Sequence, residues 1–134
     1  MINVSEIARP PKDYDSMVSR KIGSMDYILN GVVVNKNSST KSPKAYNVDI
    51  HLDTPKLLPT SKCRVSCTCH DFQFRWAYVL WKKDALLNPR NYVLEPPKIT
   101  NPDNLLNACK HIHTFMKAEM EKVLREMSNR KNQI

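Results

Sequence analysis

Four residues in two short pairs could hold a metal ion: Cys67-Thr68-Cys69 and Cys109-Lys110-His111. In a strand, residues two apart point to the same face, with Cα atoms about 6.5 Å apart. A slight turn then lets both thiolates of the first pair reach one ion, and the second pair supplies the rest. Three cysteines and one histidine make a closed tetrahedral set of the kind structural zinc sites use. Nothing at the N-terminus combines a basic stretch with a following apolar one, so a secretory signal is not expected. In a reducing compartment clustered thiols bind metal more often than they form disulfides. A Cys67–Cys109 disulfide is the alternative for a particle that meets an oxidising exterior.

The fourth ligand depends on the backbone. On a continuous helix, residues two apart point about 200° apart, so Cys109 and His111 could not share an ion, whereas Cys109 and His113, at i and i+4, would lie on one face. A helix interrupted near Asn107–Cys109 and restarting gives His111; an uninterrupted one gives His113. His70 points to the opposite strand face from Cys69. Cys63 shares a face with Cys67 but lies about 13 Å away along a straight strand, which makes it a small buried core residue.

The pattern C-x-C then C-x-H resembles the SWIM-type zinc finger, over about residues 63–120. The resemblance implies a β-hairpin followed by a helix. It implies zinc ligation by Cys67, Cys69, Cys109 and His111, with His113 as the alternative fourth ligand. It also implies DNA or protein contacts in place of catalysis. One departure stands out: 39 residues separate Cys69 from Cys109, more than such a finger usually carries. The run Cys69-His70-Asp71-Phe72-Gln73-Phe74-Arg75-Trp76 is also similar to small uncharacterised proteins of large tailed bacteriophages.

The elements that must position these residues are legible in outline. The chain has 134 residues, 41% hydrophobic and 25% charged, enough for one domain with its own core. The expected fold is α+β: an antiparallel sheet of about three strands, near 26–35, 45–53 and 62–69, packed on two helices near 72–84 and 102–128. Tyr46, Val48, Ile50 and Leu52 alternate with polar residues, the period of a strand with one wet face. From Phe72 the period changes: Phe72, Trp76, Val79 and Leu80 form one helical stripe, and Phe74, Tyr78 and Trp81 a second. Asp71 is the expected N-cap of that helix. Asn101-Pro102-Asp103 reads as a helix start, with proline at N1 and an acid in the first turn. Residues 1–20 are expected to be an N-terminal arm, 21–128 one zinc-stabilised domain, and 129–134 a frayed tail.

Composition excludes several chemistries. Gly23 and Gly31 are the only glycines, so no phosphate-cradling loop is present. The H-x-E with P-C-x-x-C signature of zinc deaminases and the G-x-S-x-G of α/β-hydrolases are absent. With four protein ligands the metal site keeps no open position, so no enzyme and no small-molecule substrate is expected. No apolar run approaches the ~20 residues of a membrane span. The formal net charge is +8. Residues 1–34 balance, Arg9, Lys12, Arg20 and Lys21 against Glu6, Asp13, Asp15 and Asp26, so the excess lies beyond them. It suits an anionic partner, with Lys36, Lys41, Lys44, Lys62, Arg64 and Arg75 as candidate contacts to DNA or an acidic protein face. The expected function is a non-catalytic interaction module, a structural component of a tailed-phage virion assembled in the host cytoplasm among other protein subunits. A DNA-binding accessory protein is the alternative.

Overall fold

A computed structural model describes residues 1–7, 17–25, 27–35 and 44–131. Over these residues the fold is α+β, a five-stranded antiparallel sheet with two helices. The strands are β1 (Ile2–Asn3), β2 (Met17–Met25), β3 (Ile28–Asn35), β4 (Ala45–Leu52) and β5 (Lys62–Cys67), in spatial order β1-β5-β4-β3-β2. After β5 a π-helical turn (Phe72–Trp76) runs into helix α1 (Ala77–Lys82), and the last described element is helix α2 (Lys110–Lys131).

Alternation decides the inner face of the sheet. Leu29, Gly31 and Val33 of β3 pair with Ile50, Val48 and Tyr46 of β4, and Ile50 and Val48 pair in turn with Val65 and Cys67 of β5. Side chains two apart share a face, so these form one apolar surface, and α2 lies on it. Ile112, Phe115 and Met116 of α2 are fully buried there. Burying each such side chain contributes ~1.5–3 kcal/mol. All six residues from His111 to Met116 are buried, so the first turns of α2 are covered on every side.

Two strands lie where the sequence suggested none. Residues 1–7 and 17–20 are not an arm: Ile2 and Asn3 pair with Cys63 and Lys62, Val4 and Ile7 are fully buried, and Met17–Met25 is a sheet edge. β1 is too short to show a period. In β2 the alternation is broken by a bulge between Lys21 and Gly23, which inserts a residue and resets the faces. The hairpin turn to β3 places Tyr27 at φ 67°, where a glycine or asparagine would have marked it. The expected strand over 26–35 corresponds to β3, which begins at Ile28 after that turn. Edge strand β2 carries Arg20, Lys21 and the bulge, features that oppose pairing with another sheet.

The expected helix over 102–128 starts later, at Lys110, and continues to Lys131, so residues 129–131 are helical and not a frayed tail. The Asn101 side chain does not cap a helix. It bonds to Leu105 at both its N–H and its C=O, a local alternative to helix that asparagine favours. Asn104 sits at φ 53°, a left-handed residue that helix propagation does not pass. The Asp71 N-cap is likewise corrected. Helix begins at His70, and Asp71 pairs with Arg75 at 3.1 Å and accepts the Trp76 indole N–H at 3.1 Å. Among the described residues no helix is long and apolar enough to cross a membrane.

Candidate metal centre

Cys67 closes β5, and Cys69 lies just past it, where the chain bends toward the π turn. Cys109 immediately precedes α2 and His111 is its second residue. The helix boundary thus brings His111, and not His113, to the three cysteines. Cys109 lies before the helical phase begins, so it and His111 can converge. The ligand atoms of Cys67, Cys69, Cys109 and His111 all lie within 4.8 Å of one another, and all four residues are buried. His111 Nδ1 is 3.9 Å from Cys67 Sγ. A tetrahedral ion with ordinary Zn–S and Zn–N bonds has edges of about 3.8 Å (S···S) and 3.5 Å (S···N). The cluster therefore needs to close by no more than about 1 Å to hold such an ion.

His113 is placed elsewhere. Its Nε2 faces the Asn107 side-chain oxygen at 2.8 Å and the Ala108 carbonyl at 3.1 Å. Both are acceptors, so that nitrogen carries the proton. The ring buttresses the segment entering Cys109. Cys63 is buried at the opposite end of β5 and takes no part in the cluster.

The thiols influence one another strongly. Hydrogen bonds from the Cys109 and Cys67 thiols, in that order, pull Cys69 far below the ordinary thiol value. Its sulfur also accepts the Phe72 backbone N–H at 3.2 Å. For Cys67 the bond with Cys109 lowers, while the bond with Cys69 and burial raise, leaving it at about 12. Burial first, then the two neighbouring thiols, pushes Cys109 well up. A bound cation would deprotonate all three. All four cysteines of the chain are free.

Supporting contacts surround the cluster. The Tyr92 hydroxyl accepts the Cys67 N–H at 3.2 Å, donates to the Cys67 carbonyl at 2.9 Å and meets Ser66 Oγ at 2.5 Å. Burial raises the Tyr92 hydroxyl above its ordinary value, so it stays a donor. Its ring packs on Phe72 at 5.3 Å. The sequence gives no sign of Tyr92, a lone aromatic in a proline-rich loop. Asn101 did stand out, as a cap, but its buried side chain instead ties that loop together.

Among the described residues, two of the candidate basic contacts are paired with acids. Lys62 and Arg64 share the outer face of β5, but Arg64 pairs with Asp84 at 2.9 Å, and Arg75 with Asp71. Lys44 is exposed at the start of β4. Lys36 and Lys41 lie outside the described residues. In the second aromatic stripe Phe74 is 59% and Trp81 43% exposed and Tyr78 is half-buried, while Phe72, Ala77 and Leu80 on the other side are fully buried.

Comparisons with family models, with curated proteins and with solved structures find no match to this chain.

Proposed function

We propose that the chain is a non-catalytic interaction module in which zinc pins the end of β5 to the start of α2, with a SWIM-like ligand set. The module serves as a structural component of a tailed-phage particle, assembled in the host cytoplasm and retained in the virion. The observation that carries the docking half is the exposure of Phe74 and Trp81 on a helix whose other face is already buried. Exposed apolar surface of this kind marks contact sites. Three cysteines and a histidine favour zinc over harder cations, and four protein ligands leave no position for a substrate.

The test is assembly. Trp81→Glu and Phe74→Glu are expected to retain zinc and fold while the chain no longer co-sediments with particles. Trp76→Ala is the control: Trp76 is half-buried against the core, so its loss costs stability. Zinc-loaded Trp81→Glu protein that still incorporates normally would sink the docking half.

DNA binding is the second reading, and one observation favours it. Lys82 Nζ lies 6.0 Å from the Tyr78 ring centroid and 5.8 Å from that of Trp81. Cations interleaved with exposed aromatics suit stacking on single-stranded nucleic acid. A steep fall of oligonucleotide affinity with salt, together with a monomeric chain absent from particles, would select this reading.

A further inference from the structure

The two arms of the metal centre are far apart in the chain. A long connection between Cys69 and Cys109 does little by itself to set their separation. Something in the tertiary structure has to do so, and the hydrogen bonds converge on one residue.

Asn101 is 4% exposed. Its Nδ2 donates to the Arg75 carbonyl at 3.1 Å and to the Leu105 carbonyl at 3.0 Å, and its Oδ1 accepts the Leu105 N–H at 2.9 Å. Arg75 belongs to the π turn whose first residue, Phe72, donates its N–H to Cys69 Sγ. Leu105 begins the run into Cys109, which His113 secures at Asn107 and Ala108. A bonded path thus joins Cys69, through Phe72, the π turn, Asn101 and Leu105, to Cys109. The amide bonds one carbonyl on the Cys69 side and a paired N–H and C=O on the Cys109 side. Its planar geometry therefore fixes both distance and orientation between the arms. The neighbouring Thr100 hydroxyl donates to the Phe74 carbonyl but makes no such link to the Cys109 side.

We infer that Asn101 is a positioning residue for the metal centre, holding the Cys69 and Cys109 arms at the separation at which four ligands meet one ion. This rests on the metal reading proposed above. Asn101 touches no ion. Its effect runs through where the sulfurs stand.

The experiment uses the full chain and two probes: zinc affinity by competition with a chromophoric chelator, and the absorption spectrum of the cobalt(II)-loaded protein. Asn101→Ala is expected to weaken zinc binding by about 10–100-fold, the usual cost of losing an outer-shell partner, and to reduce the thiolate-to-cobalt charge-transfer band. Asn101→Ser keeps a small hydroxyl acceptor for the Leu105 N–H but no longer reaches the Arg75 carbonyl, so it should fall between Asn101→Ala and the parent. Thr100→Val should stay within about twofold of the parent, since it breaks no link between the arms. The inference is overturned if folded Asn101→Ala keeps the parent affinity and cobalt spectrum, or if Thr100→Val weakens binding as much. Should Asn101→Ala fail to fold even with zinc, Asn101→Ser decides by the same criteria. A parent chain that takes up neither zinc nor cobalt overturns the metal reading itself, a result distinct from both.

Discussion

The ring of Tyr46 stacks on the imidazole of His111, with centroids 4.2 Å apart and planes inclined by 30°. Tyr46 is the second residue of β4 and His111 the second of α2, so the stack ties the sheet to the helix at the metal centre. It holds the imidazole with Nδ1 toward Cys67. Tyr46→Phe should therefore leave zinc affinity unchanged, and Tyr46→Ala should weaken it about tenfold at unchanged stoichiometry. Competition titration checks both, and equal affinities for the two variants would show that the stack orients nothing.

The two histidines of α2 should separate cleanly. His111→Ala removes a ligand, so the purified protein should retain little zinc and lose stability with it. His113→Ala should keep about one zinc per chain and cost about 1–3 kcal/mol, the penalty for leaving buried acceptors without their donor. Elemental analysis beside urea unfolding reads both quantities. Zinc lost from His113→Ala and kept by His111→Ala would reverse the assignment.

Gly31 faces the ring of Phe115. A Cβ at this position would stand 2.8 Å from Phe115 Cζ and closer still to Cδ2 and Cε2. Phe115 is fully buried and has no room to retreat. Gly31→Ala should destabilise by about 1–3 kcal/mol, and combining it with Phe115→Leu should recover part of that loss. Additive costs in a double-mutant cycle would contradict the close approach.

Cys63 should make the fold sensitive to alkali. Burial is the leading cause that lifts its thiol from 9.0 to about 12. The sign follows from proton linkage: below pH 9 the thiol is protonated in both states and its contribution is fully present. Between pH 9 and about 12 the unfolded chain releases the proton and the folded one keeps it, so stability falls as pH rises, by roughly 1.4 kcal/mol per unit. Urea unfolding from pH 8 to 11 should show a steeper decline for the parent chain than for Cys63→Ala. Parallel curves would show that the buried thiol ionises without penalty.

The α+β class, strand β4 and the helical stretch after Cys69 were legible because each rests on a local period that a buried face imposes. So was the set of four residues that could hold a metal ion, because thiols and imidazoles at these spacings have few other uses. Where the period is broken or too short, the sequence misleads. The Lys21–Gly23 bulge hid β2, β1 is two residues long, and Tyr27 turns the chain without a glycine.

At the metal centre the residue types alone settled the donor chemistry and left His111 and His113 open. That choice followed from where α2 begins. It starts at Lys110, after a segment in which the Asn101 side chain bonds to Leu105 and Asn104 sits in the left-handed region. Asn-Pro-Asp reads locally as a helix start. The Arg75 carbonyl, brought close only in the folded chain, gives Asn101 another bond to make. Ligand identity is a property of side chains, and the sequence determines it. Convergence of arms 39 residues apart is a property of packing. It exists only once β5, the π turn and α2 have been assembled around the same buried sulfurs.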